Sequence, residues 1–114
     1  MESMRENCRE KLLVYTSDYE DDADRLESIS SAAEKVAIML NVDLEVKRMS
    51  ERFTPIYVFY KNADEEPIPI YCNKGEKLTV QEICAILRNM MFVLSFHPRC
   101  SALRLARKRI MRLS

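Results

Sequence analysis

Val42-Asp43-Leu44-Glu45-Val46-Lys47 is followed after only six residues by Thr54-Pro55-Ile56-Tyr57-Val58-Phe59-Tyr60, and how these two runs pair decides the fold. The first run alternates apolar and polar residues, the period of a strand with one wet face. The second is β-branched and aromatic throughout and is the strongest strand signal in the chain. Six residues leave no room for a helix between them. If the two runs simply fold back on each other, a hairpin results and the sheet is of α+β type.

The flanking sequence supplies the other elements. Upstream, Leu12-Leu13-Val14-Tyr15-Thr16 reads as a buried strand that ends at Ser17-Asp18. From Asp22 the period changes, and Leu26, Ile29, Ala33, Val36, Ala37 and Leu40 fall on one helical face. Asn41 stands where a left-handed C-cap belongs. Downstream, residues 61–66 make a polar turn. Pro67-Ile68-Pro69-Ile70-Tyr71-Cys72 then reads as a strand that its prolines confine to a sheet edge.

Thr79-Val80-Gln81-Glu82 is a capping box, with Leu78 and Ile83 placed as a hydrophobic staple. The helix it opens carries Ile83, Ile86, Leu87, Met90, Val93 and Leu94, and His97-Pro98 ends it. The apolar surface over residues 90–96 is wide enough to predict a partner or subunit interface. A separate last helix follows, with Leu103, Ala106, Ile110 and Leu113 on one side. The predicted order is β-α-β-β-β-α-α. It divides into a charged N-terminal segment (1–11), a domain (12–97) and a basic C-terminal helix (98–114).

Leu13-Val14-Tyr15-Thr16-Ser17, Leu40-Asn41-Val42-Asp43-Leu44-Glu45 and Thr54-Pro55 with the strand behind it resemble, in that order, parts of the thioredoxin/glutaredoxin family. The resemblance covers roughly residues 12–90. It implies an α/β domain with helices against a mixed four-stranded sheet, the third strand beside the first, and a cis bond before Pro55. Six residues reach at most ~20 Å, enough to cross the ~10 Å of two strand spacings. The family's chemistry needs a CxxC at the start of the first helix, where Glu20-Asp21-Asp22-Ala23 stands instead. A carboxylate cannot replace a thiolate in disulfide exchange, so the resemblance implies no thiol chemistry at that place.

The 114 residues suit one domain, and 47% apolar with 32% charged residues is the composition of an ordinary globular protein. Lys+Arg and Asp+Glu balance at 18 each. No apolar run approaches bilayer length, and residues 1–11 lack the apolar stretch of a signal peptide, so a cytoplasmic location is expected. Cys8, Cys72, Cys84 and Cys100 form no CxxC and no zinc spacing, and free thiols are expected. Gly75 is the sole glycine, which excludes glycine-rich phosphate loops. No catalytic residue, cofactor or metal site is assigned.

Charge is segregated along the chain. Asp18, Glu20, Asp21, Asp22, Asp24 and Glu27 crowd the start of the first helix, where acids complement the macrodipole; carboxylates can also take a cation, but no EF-hand order is present. Arg99, Arg104, Arg107, Lys108, Arg109 and Arg112 follow with no acid after Glu82. On a helix these cations lie opposite the apolar stripe. That basic amphipathic pattern suits an acidic protein, an anionic surface or nucleic-acid phosphates, and equally a solvated helix end.

The preferred reading is a non-enzymatic binding or adaptor protein, with Arg104, Arg107, Lys108, Arg109 and Arg112 as partner-binding residues. The partner is another protein or a second copy, as in a homodimer whose acidic and basic patches meet. The alternatives are a thiol-redox protein using Cys100 or Cys72, and a nucleic-acid-binding protein, although the basic helix lacks aromatic residues for stacking. Among neighbouring cations Cys100 is the best-placed reactive thiol, and His97 reads as a capping or surface residue.

Overall fold

The computed structural model describes residues 10–19, 22–62 and 65–96. Six elements follow in chain order: β1 (Glu10–Ser17), α1 (Ala23–Leu40), β2 (Asp43–Met49), β3 (Ile56–Asn62), β4 (Ile68–Asn73) and α2 (Val80–Leu94). Each arises where the sequence places it. Asp22 caps α1 by accepting a hydrogen bond from the Arg25 backbone N–H, and Asn41 closes it in the left-handed conformation at φ 60°. At α2 the capping box forms in both directions: Thr79 accepts from the Glu82 N–H, and the Glu82 carboxylate accepts from the Thr79 N–H. The segment predicted as a last helix, residues 98–114, lies outside the described residues.

The strands form one mixed sheet in the order β2-β1-β3-β4. β1 pairs with β2 in parallel, and β3 runs antiparallel to both β1 and β4. The hairpin of β2 with β3 is therefore excluded: each pairs with β1, on opposite sides. The crossing is tied down as it passes the end of β1. The Asp18 N–H donates to the Met49 carbonyl at 2.8 Å, and Ser17 Oγ donates to the Glu51 carbonyl at 2.6 Å. β4 lies at an edge, where Pro69 is tolerated, with a register shift at Val58/Phe59 beside it. No cis peptide bond occurs among the described residues. The Thr54–Pro55 bond is accordingly trans, where the family resemblance implies cis.

Both described helices feed one core. Ile29, Ala33 and Val36 of α1 and Ile83, Leu87 and Met91 of α2 cluster with Leu12, Val14, Ile56 and Val58 from the two central strands. Residues alternate across a strand. Leu13, Tyr15, Tyr57 and Phe59 therefore occupy the opposite face of the sheet, against which neither α1 nor α2 packs. The described residues form two layers, helices on sheet. None of the described helices is long and apolar enough to cross a membrane.

Candidate functional site

The carboxyl end of β1 and the start of α1 form the pole where the resemblance places the family's chemistry. Its centre is Arg25, in the first turn of α1 and only 9% exposed. Arg25 follows the apolar stripe rather than the wet face, one helical turn before Ile29. Its Nη2 donates to the Thr54 carbonyl at 2.7 Å. Its Nη1 donates to the Asn73 carbonyl at 3.1 Å and to Asn73 Oδ1 at 3.0 Å. One guanidinium thus ties α1 to the loop entering β3 and to the end of β4.

Asn73 extends this network. Its Oδ1 also accepts from the Gly75 N–H at 2.9 Å, and its Nδ2 donates to the Tyr71 hydroxyl at 2.9 Å and the Glu76 carbonyl at 3.1 Å. Gly75 has φ 127°, a conformation that L side chains rarely adopt, so the turn after β4 needs this one glycine. Burial pushes the Tyr71 hydroxyl above its ordinary range, an effect opposed by the Asn73 hydrogen bond. The Glu76 carboxyl is held below its usual range by its own N–H and that of Lys74. A cleft of about 160 Å³ remains beside Arg25, bordered by Asp22, Asp24, Asn73 and Glu76.

This pole is built as a clamp. Its buried cation is committed to carbonyl oxygens, and neither a thiol nor a histidine is among the residues bordering the cleft. Asp22 is consumed as the cap of α1, and Asp24 lies in the helix's first turn, where a negative charge is favourable. Glu20 and Asp21 lie outside the described residues. No group of three potential metal ligands occurs among the described residues. At the rim, the Arg52 guanidinium sits 4.1 Å from the centroid of the Tyr19 ring.

No family model matches the chain, and no curated protein or solved structure is significantly similar to it.

Two cysteines are described. Cys72 is free and exposed on edge strand β4. Cys84 is free and half-buried on α2, its Sγ 3.7 Å from the Ala32 carbonyl, and burial pushes its thiol pKa up, away from the reactive thiolate. The other residues singled out from sequence (Cys8, His97, Cys100, Arg104, Arg107, Lys108, Arg109 and Arg112) lie outside the described residues. The apolar end of α2 is present, with Val93 60% and Phe96 57% exposed and the Phe92 and Phe96 rings meeting edge to face.

The sheet face away from the helices carries the second feature. Tyr15 and Phe59 have ring centroids 5.1 Å apart, Phe59 and Tyr57 6.0 Å, and Tyr57 and Phe53 6.4 Å. This row runs across both central strands, and all four rings are partly exposed. Leu13, buried, lies on the same face in register with Phe59. Lys11 stands opposite Lys61, and Lys47 beside Tyr15. Lys11 also pairs with Glu45 at 3.0 Å, which holds the Glu45 carboxyl below its ordinary range. Sequence reading missed both Arg25 and this row.

Proposed function

We propose that the chain is a thioredoxin-like domain without thiol chemistry that works in the cytoplasm as a non-enzymatic binding module. The observation that carries this reading is the division of labour between pole and face. At the pole that serves catalysis in the resembled family, the described residues form the Arg25–Asn73–Thr54 clamp. The sheet face away from the two described helices carries four partly exposed aromatic rings in a row. A row of aromatic rings kept partly in water marks a candidate contact site. The sheet order is compatible with the family reading, whereas the trans bond before Pro55 departs from what that reading implies. The basic stretch Arg104, Arg107, Lys108, Arg109 and Arg112 is a second candidate binding element on this reading.

The test uses the full chain and the apolar dye 8-anilinonaphthalene-1-sulfonate, followed by amide chemical shifts. The expected result is native-state dye binding with shifts concentrated at Tyr15, Tyr57 and Phe59. Shifts confined to the Arg25 cleft, or no binding by the folded chain, would overturn the open-face reading. A parallel assay of disulfide reduction should show no turnover above the thiol background, and turnover that disappears on Cys72→Ser or Cys100→Ser would restore redox chemistry.

A further inference from the structure

We propose that the outer edge of β2 pairs antiparallel with β2 of a second copy of this chain, in a register centred on Val46. The pairing goes beyond the reading of the aromatic face and does not depend on it.

β2 and β4 are the two edges of the sheet. An open edge offers a row of N–H and C=O groups to any other strand, and proline or like charges commonly close it. β4 carries Pro69, whereas β2 contains no proline over its 7 residues. Which backbone groups of β2 face outward follows from one hydrogen bond. The Met49 carbonyl accepts from the Asp18 N–H, so Met49 turns its polar groups toward β1. Along a strand this direction alternates, which sends those of Leu44, Val46 and Arg48 away from the sheet. No described strand meets them there.

Antiparallel pairing joins outward-facing groups only to outward-facing groups. With Val46 at the centre, Val46 meets the second copy's Val46 and Leu44 meets its Arg48, so each of the three finds a partner. Between them Glu45 faces the second copy's Lys47, and by symmetry Lys47 faces its Glu45, at the closer, non-hydrogen-bonded positions. A shift of two residues one way sets Glu45 against Glu45, and the other way Lys47 against Lys47. The charges of this edge therefore admit one register and oppose its neighbours. Glu45 already meets Lys11 through Oε1 at 3.0 Å, and its carboxylate has a second oxygen for the new cation.

Apolar surface favours the same arrangement. Val46 lies in register with the core residue Val14, on the helix side of the sheet, yet is 39% exposed. At the twofold axis the two Val46 side chains cover each other. The two four-stranded sheets become one, and the aromatic rows of both copies lie on the same face of it.

The experiment is sedimentation of the full chain from about 10 to about 500 µM, a range suited to a small interface. A monomer–dimer equilibrium is expected. Lys47→Glu and Glu45→Lys each set like charges opposite one another at both symmetric positions, and each should weaken association about tenfold or more. Mixing the two variants should restore it, because the mixed pair again faces acid with base at every position. Val46→Pro removes the N–H at the centre and should leave the chain monomeric. That N–H faces away from β1, so the edge strand tolerates the change. Hydrogen exchange of the unmodified chain needs no variant: protection of the Leu44, Val46 and Arg48 amides should rise with concentration.

A chain that stays monomeric over the whole range, association unchanged in Lys47→Glu and Val46→Pro, or no recovery on mixing overturns the proposal. Concentration-dependent protection confined to other amides overturns it as well. Dye binding at the aromatic face needs no dimer, so failure of this pairing leaves the binding-module reading standing.

Discussion

Arg25 shows how one residue decides what a familiar pole can do. A guanidinium with 9% exposure persists because its donors meet carbonyl oxygens on two other segments. Arg25→Met keeps much of the length but removes the donors, orphaning the Thr54 carbonyl. The expected loss is about 2–3 kcal/mol, read as a lowered urea midpoint with unchanged slope. A loss under about 0.5 kcal/mol would mean that water satisfies these carbonyls and the clamp is dispensable. The residue was partly legible beforehand. Arg25 precedes Ile29 by one turn on the apolar stripe, an unusual place for a charge. Six nearby acids made a solvated helix start the readier reading, and no sequence rule pairs Arg25 with Asn73, 48 positions away.

Elements were far easier to read than their neighbours. The capping box at Thr79, the left-handed Asn41 and the prolines of β4 are local devices, and each appears where spacing put it. Thr79→Ala removes the oxygen that accepts from the Glu82 N–H and should cost about 1 kcal/mol, while Thr79→Ser should cost little. Thermal unfolding of the two variants checks this, and equal losses would show that the methyl group matters and the cap does not. Pairing was harder, because periodicity reports which face of a strand is apolar and not which strand lies beside it. Residues 50–55 permit a hairpin or a crossing equally well. The hydrogen bonds from Asp18 and Ser17 favour the crossing, and they are long-range contacts that no local pattern announces. The aromatic row was hidden similarly. Ile56-Tyr57-Val58-Phe59-Tyr60 reads as continuously apolar, yet its aliphatic residues turn inward and Tyr57 and Phe59 outward.

At the scale of the whole molecule, the two layers formed by the described residues make the two faces of one strand unequal. Val58 is fully buried between the sheet and the helices, whereas its neighbours Tyr57 and Phe59 sit on the side that neither helix covers. Val58→Ala deletes methyl groups from packed surroundings that relax only in part, so transfer and cavity costs add to about 2–3 kcal/mol. Tyr57→Leu changes a partly exposed ring on the open side and should cost under about 1 kcal/mol. The contrast between adjacent positions, measured by urea unfolding of the full chain, reports the architecture directly. Comparable losses at both would require the open face to be packed as tightly as the core, and would remove the surface on which binding depends. A large loss at Val58 with a small one at Tyr57 means instead that the aromatic row contributes little to holding the fold. Rings kept partly in water at little benefit to stability are what a contact surface requires.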